Sequence, residues 1–452
     1  MIKMNKSEFY GRLVLKTRNW KDEGIKTIKM PTMAVNEGRV HCLRCNTWFV
    51  KSLVQLPRQE FYCPECIQLG RVTTLENFFT LKEPNQFKQL AHYLTWEGKL
   101  TESQLRCSKE VIHSFNHGKD HLLWAVTGAG KTEMLFPGIN EALQAGKRVC
   151  LASPRVDVCL ELFPRLQAAF KQVDIALLHG RQTESYRYTQ LTIATTHQLL
   201  RFYHAFDVLI IDEVDAFPYA QNKKLLYATT QAKKETGSCL FLTATPGEEL
   251  LKKVRQKQLA VSYLPRRFHG FPLPEIQVKL VLNWYSKMYA QKLIRPLKRF
   301  IKNCQEANRQ FLIFVPHIKY LPFVLKAVAK IFPSLKIATV FSADEQRLEK
   351  VQAMRNQEIN GLITTTILER GVTFPGIDVC VLGADDDTFS SAALVQIAGR
   401  VGRSPKRPTG NVLFICAGLS RSVKRAIQQI KFVNRKAKEE EHAMSSVSPS
   451  DT

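Results

Sequence analysis

The chain has 452 residues, 45% hydrophobic and 23% charged, ordinary proportions for a soluble protein long enough for two or three domains. Lys and Arg number 65 against 40 Asp and Glu; the formal charge of +25 points to a polyanionic partner, nucleic acid or an anionic membrane surface. No apolar run reaches the roughly 20 residues of a membrane span, and the basic start lacks the apolar core of a secretory signal. The expected location is cytoplasmic, with any membrane role peripheral.

Residues 1–90 read as a basic arm carrying two C-x2-C pairs, Cys42 with Cys45 in "VHCLRCNTWF" and Cys63 with Cys66 in "FYCPECIQLG". This spacing is that of a zinc site: each tight turn presents two thiolates, and four sulfurs close a tetrahedral shell with no open position. A closed shell is structural, and the apolar face of Trp48, Phe49, Phe61 and Tyr62 is too small to fold without metal. A redox pair would leave the second C-x2-C unexplained, and His41 adjoins Cys42 too closely to replace a thiolate comfortably. Two tasks are open to the module: gripping DNA through a basic surface, with Arg39, Arg44 and Lys51 as its charges, or only holding the N-terminal arm in shape. The other seven cysteines are scattered, several within apolar runs, and read as small buried hydrophobes.

Residues 91–264 alternate short apolar runs with helical stretches, the pattern of a parallel α/β sheet. Expected strands are "LLWAV" (122–126), "RVCLAS" (148–153), "LTIAT" (191–195), "DVLIID" (207–212) and "CLFLTAT" (239–245). The first ends in "AVTGAGKTE" (125–133). There Gly128, Ala129 and Gly130 supply a phosphate-binding turn, Lys131 a point charge for the β/γ-phosphates, and Thr132 a hydroxyl for Mg²⁺. In "LIIDEVDAF" (209–217) an apolar strand delivers Asp212 to hold Mg²⁺ and Glu213 to polarise the attacking water. His113, His117 and His121 recur at four-residue spacing, but Gly118 interrupts the helix, so they are not expected to form a metal site.

A Pro-punctuated linker is expected over residues 265–285. A second α/β unit follows over 286–436, with strands in "FLIFV" (311–315), "KIATVF" (336–341), "GLITTT" (361–366), "IDVCVLG" (377–383) and "NVLFIC" (411–416). The stretch 421–438 carries Val423, Ala426, Ile427 and Ile430 on one face, as a terminal helix packed on this unit would. "ADDDT" (384–388) reads as a surface loop. Residues 437–452 are polar and expected to form a disordered tail.

Taken in order, these segments resemble the superfamily-two helicases over about residues 96–416. "GKLTESQ" is similar to the Q-motif, "SPRVDVCLEL" to motif Ia, "TTHQLL" to Ib, "TATP" to III, "FLIFVP" to IV, "TTTILERGVTFPGIDV" to V and "QIAGRVGR" to VI. The resemblance implies two RecA-like parallel-sheet motor domains in tandem, preceded by the small zinc-bound module. It also implies an ATPase in which Lys131, Asp212 and Glu213 act with Arg400 and Arg403 as arginine fingers. Gln104, as the adenine contact, and Thr127, Gly371 and Gln396 would complete the ATP and Mg²⁺ pocket. Thr101 and Ser103 also suit helix capping, which leaves Gln104 a second reading. Arg155, Thr196 and His197 would touch the nucleic-acid backbone, and Thr243 and Thr245 would couple hydrolysis to movement.

The four-cysteine module ahead of the motor, with "DEVDAFPY" as motif II, resembles the late-competence family of DNA-uptake ATPases. That implies ATP-driven translocation of single-stranded DNA entering through a membrane channel, with channel and competence proteins as partners. Two other readings remain: a replication-restart or repair helicase, and a zinc-ribbon DNA-binding scaffold without enzymatic activity.

Overall fold

The computed structural model describes residues 5–15, 24–180, 186–369 and 372–446. The chain divides into two compact units, one comprising Met1–Trp124 and Lys131–Ser262, the other Ala125–Gly130 and Tyr263–Thr452.

The first unit is built on a seven-stranded sheet. Its strands lie in the order Ile175–Leu178, Leu191–Thr195, Val149–Ser153, Phe206–Ile211, Lys233–Thr243, His121–Ala125 and Ala260–Leu264. The central strands pair in parallel and are buried along their whole length on both faces, so each reads as an unbroken apolar run. Helices Lys131–Gln144 and Val156–Ala169 are crossovers between its strands, and helix Glu102–Asn116 precedes its first strand in the chain. His121 opens its strand as a buried residue with both ring nitrogens at hydroxyl groups: Nδ1 meets Ser114 Oγ at 2.8 Å and Nε2 meets Ser262 Oγ at 2.7 Å.

The cysteine module consists of the antiparallel strands Met33–Val35, Arg39–Cys42 and Thr47–Val50 and the short pair Gln55–Leu56 and Glu60–Phe61. It does not stand apart. One apolar cluster runs from Cys42, Val54 and Phe61 through Leu199 and Phe202 to Leu209 on the motor sheet. The arm joins in: Leu13 N–H donates to Arg201 O at 2.8 Å, and Tyr203 N–H to Gly11 O at 2.9 Å. Beyond the module, Glu83 forms a fully buried ion pair with Arg148 at 2.6 Å. The arm, module and first motor sheet share a single core, where the sequence suggests a separate domain ending at residue 90.

The second unit holds a six-stranded sheet ordered Ile276–Leu280, Val412–Cys416, Asp378–Leu382, Phe311–Phe314, Gly361–Thr364 and Ile337–Val340, parallel throughout. Part of the expected linker is therefore a strand, since Ile276–Leu280 pairs with Val412–Cys416. The expected tail also changes: the terminal helix runs from Arg421 to Ser446, and residues 447–452 lie outside the described residues. Val423, Ala426 and Ile430 are its buried face, Arg266 donates to Ala437 O at 2.8 Å and pairs with Glu441. Asp385 in the "ADDDT" loop accepts from the N–H groups of Ala417 and Gly418 and is thus a loop brace. Among the described residues no helix is long and apolar enough to cross a membrane.

Candidate functional site

The strand His121–Ala125 ends in a turn that the chain can make only through left-handed backbone, with φ of +79° at Gly128 and +70° at Gly130. A helix begins directly at Lys131, so backbone N–H groups and the positive helix end face the same point. The strand Phe206–Ile211 delivers Asp212 to the same carboxyl edge of the sheet, where ligands of parallel α/β sheets bind. Lys131 Nζ and Asp212 Oδ1 stand 3.7 Å apart, with both side chains mostly buried. Glu213 follows in the left-handed region, φ +54°, its N–H donating to Asp212 Oδ1 at 2.9 Å. A non-glycine residue held there costs on the order of 1 kcal/mol, strain of the kind that gathers at functional sites. The Asp212 carboxylate and the Thr132 hydroxyl are hard oxygen donors, the chemistry that Mg²⁺ with a nucleotide phosphate requires.

Between these two strands in the sheet lies Lys233–Thr243, which leads into "TATP". Thr243 Oγ1 donates to Asp215 Oδ1 at 2.6 Å, and Thr245 Oγ1 to Asp215 Oδ2 at 2.5 Å. Both expected coupling threonines are thereby tied to the acidic segment that carries Asp212. Asp215 is a residue that sequence reasoning passed over; its signal was the third acid of "DEVD".

Gln104 is buried in a capping box, its N–H bonded to Thr101 Oγ1 and its Oε1 accepting from Thr101 N–H at 2.9 Å. The capping role is the one these contacts display. In the second unit, Gln396 is buried on the helix Ser391–Ala398, and Arg400 and Arg403 follow it. Arg400, 2% exposed, donates to Val372 O; Arg403 donates to Gly399 O and to Thr373 Oγ1, each at 3.2 Å. Gly371 lies outside the described residues.

The three residues expected to touch DNA differ in availability. Arg155 makes a two-pronged contact with Asp157, 3.2 and 2.7 Å, which helps hold the Asp157 carboxyl below its ordinary range against the opposing effect of burial. Thr196 is fully buried and offers no exposed side-chain atom, whereas His197 in the same short turn Thr196–Arg201 is exposed. Desolvation and the nearby Lys224 lower the His197 pKa, so it is neutral near pH 7.

Cys42, Cys45, Cys63 and Cys66 converge, their sulfurs all within 4.8 Å of one another. The separations of 3.9 Å for Cys42 and Cys66 and 3.6 Å for Cys45 and Cys63 match the edge of about 3.8 Å that a tetrahedron of 2.3 Å Zn–S bonds requires. The four residues thus fit a structural zinc ion. His41 is not among them; its ring stacks on Trp48 at 4.3 Å. Arg44, expected as a surface charge, is 2% exposed. Its Nε donates to Cys66 Sγ at 3.3 Å and its Nη2 to Cys66 O at 3.0 Å, so it braces the sulfur cluster and partly offsets the thiolate charge.

Residues 105–254 match the DEAD/DEAH box helicase family and residues 292–405 the helicase conserved C-terminal domain. The competence protein ComFA of Streptococcus pneumoniae is 43% identical over 431 residues, 95% of this chain and 98% of that protein. The chain belongs to the ComFA family. A second ComFA, from Bacillus subtilis, is 40% identical over 90% of this chain and 88% of its own. The fold is shared with the DEAD-box helicase Mss116 in its complex with ssRNA and UDP-BeF, at a TM-score of 0.52 and 17% identity over 70% of each chain. This ComFA-family chain is accordingly a competence-related superfamily-two helicase with two RecA-like sheets and an N-terminal cysteine module, and its helicase domains imply use of ATP and Mg²⁺ and binding of DNA.

Proposed function

We propose that this chain is a DNA-stimulated ATPase that translocates along single-stranded DNA and draws transforming DNA into the cytoplasm. In this reading it acts at the cytoplasmic face of the membrane, in contact with the uptake channel and other competence proteins. The observation that carries it is the link from Lys131 and Asp212, through the neighbouring acid Asp215, to Thr243 and Thr245. A hydrolytic site needs a lysine on phosphate and a carboxylate for the metal; a motor also needs a route by which product release moves another segment. Bound ATP and Mg²⁺ supply the transferable phosphoryl group and its charge neutralisation. Lys131 orients that group, Glu213 positions water, and Arg400 and Arg403 are the donors for the charge that develops. Intact residues at every one of these positions weigh against a silent scaffold.

Phosphate release measured with and without single-stranded DNA tests the ATPase. Displacement of streptavidin from a biotinylated single strand, alongside strand separation on forked DNA, separates a translocase from a restart helicase. A transformation assay in cells carrying Lys131→Ala completes the test. Normal growth and repair with lost uptake supports the reading; unchanged uptake overturns it.

A further inference from the structure

Away from the nucleotide site, the arm, the cysteine module and the first motor sheet enclose a cavity of about 160 Å³. That is well above the roughly 10–15 Å³ that admits a single water. Its polar lining is Arg12 from the arm, Gln68 from the cysteine module, and His179, Gln198 and Arg201 from the motor; Leu178 and Phe202 form an apolar floor. No carboxylate lines it among the described residues.

Both guanidinium groups are held in place. Arg12 sits between the two arm-to-motor hydrogen bonds, Leu13 to Arg201 and Tyr203 to Gly11. Gly11 permits that approach, with φ +62° and a Cβ that would lie 2.6 Å from the Ala205 Cβ. The Arg12 guanidinium stacks over the Tyr186 ring at 3.7 Å and anchors Nη1 on Glu8 O at 3.0 Å. Arg201 anchors Nη2 on Leu69 O at 3.2 Å, and its buried Nε has no hydrogen-bond partner. Leaving a buried charged donor unmatched is costly, and planar guanidinium pairs match phosphate oxygens in geometry and charge. Burial lowers the pKa of both arginines, Arg12 being further lowered by Arg201 and Arg201 by Arg44.

We propose that this cavity seats one backbone phosphate of the single strand, held by Arg12 and Arg201. The inference rests on the nucleic-acid reading above and adds to it a contact that lies on the cysteine-module side. Gln198 and Arg201 belong to the same short turn as the exposed His197, so a strand crossing that turn passes the cavity mouth. A phosphate seated there bridges arm, module and motor, which gives the zinc module a task in DNA binding through Gln68 and its fixed position, with no need for charge of its own at Arg44. The chemistry recognised is a phosphate oxyanion, so inorganic phosphate is the competing source.

The test uses the full chain and a fluorescent oligo-dT, with affinity measured by anisotropy across a salt series. Arg12→Gln and Gln68→Glu are the main variants, because Gln68 is exposed and neither change removes the Arg201 anchor on Leu69. Zinc content and melting temperature are checked for each. Loss of one phosphate contact lowers the slope of log affinity against log salt by about 0.7 for Arg12→Gln. Gln68→Glu weakens binding severalfold at low salt. Unchanged slope and affinity in both variants, with wild-type zinc and melting, overturns the seat while leaving the motor reading intact. Absence of salt-dependent DNA binding by the wild-type chain overturns both. Calorimetry with inorganic phosphate alone separates the sources: phosphate binding that Arg12→Gln abolishes, with an unaltered DNA slope, assigns the cavity to free phosphate and overturns the proposal.

Discussion

Lys131 and Asp212, from the two motifs that flank the strand Lys233–Thr243, meet with Nζ 3.7 Å from Oδ1. Each is the other's neighbouring charge, and each has a separate task on a nucleotide, so removing either harms more than one step. Lys131→Ala and Asp212→Ala are expected to lower ATP turnover by at least about 10²-fold, the scale seen when one preorganised electrostatic donor is lost. Binding of single-stranded DNA should stay within about twofold, because neither residue is among the expected DNA contacts. Phosphate release and anisotropy on the same preparations check both halves.

Asp215 holds two threonine hydroxyls that are themselves almost wholly buried, Thr243 at 0% and Thr245 at 4% exposure. Asp215→Ala strips both of that acceptor, a cost on the order of 1–3 kcal/mol in stability. The larger effect is expected on coupling: phosphate release persists at a reduced rate, while streptavidin displacement per phosphate released falls severalfold. Equal loss of both would make Asp215 part of the hydrolytic step.

Arg44 donates to Cys66 from a fully enclosed position. Arg44→Ala should weaken zinc retention by about 10–100-fold, the usual effect of losing a partner behind a metal ligand. Release of zinc to a chromogenic chelator measures this directly. Arg39→Ala, at an exposed position on the same module, should leave zinc retention unchanged and serves as the control.

His121 is buried between two serine hydroxyls, and desolvation drives its pKa from the ordinary 6.5 to about 4, against a smaller opposing effect of Glu110. Above pH 6.5 the imidazole is neutral both folded and unfolded. As pH falls from about 6.5 to about 4 the unfolded chain takes up a proton that the folded chain refuses, so stability declines by up to about 3 kcal/mol and then levels off. His121→Gln keeps hydrogen-bonding capacity and removes the titration. Melting temperatures at pH 7 and pH 5 should show the wild type losing more on acidification than the variant.

The central strands were legible because burial on both faces writes them as apolar runs, as in "LTIAT" for Leu191–Thr195. Edge strands carry no such signature. Ile276–Leu280 alternates exposed and half-buried positions with Gln277 and Lys279 among them, and so read as linker. The terminal helix outran its expected end because the polar stretch beyond residue 436 is anchored by Arg266 on Ala437 and Glu441, a contact invisible to composition.

By itself the sequence determined the chemistry that depends on local spacing: the paired cysteines, the glycine turn before Lys131, the acids after an apolar strand. A turn or a strand end needs only neighbours in the chain, so its residue types report its task. Only the tertiary structure decided which distant groups meet. It placed Asp215 beneath Thr243 and Thr245, turned Arg44 inward onto Cys66, and set Arg12 beside Arg201. The reason is physical: buried polar groups must find partners, and strand order and core packing choose those partners from anywhere along the chain.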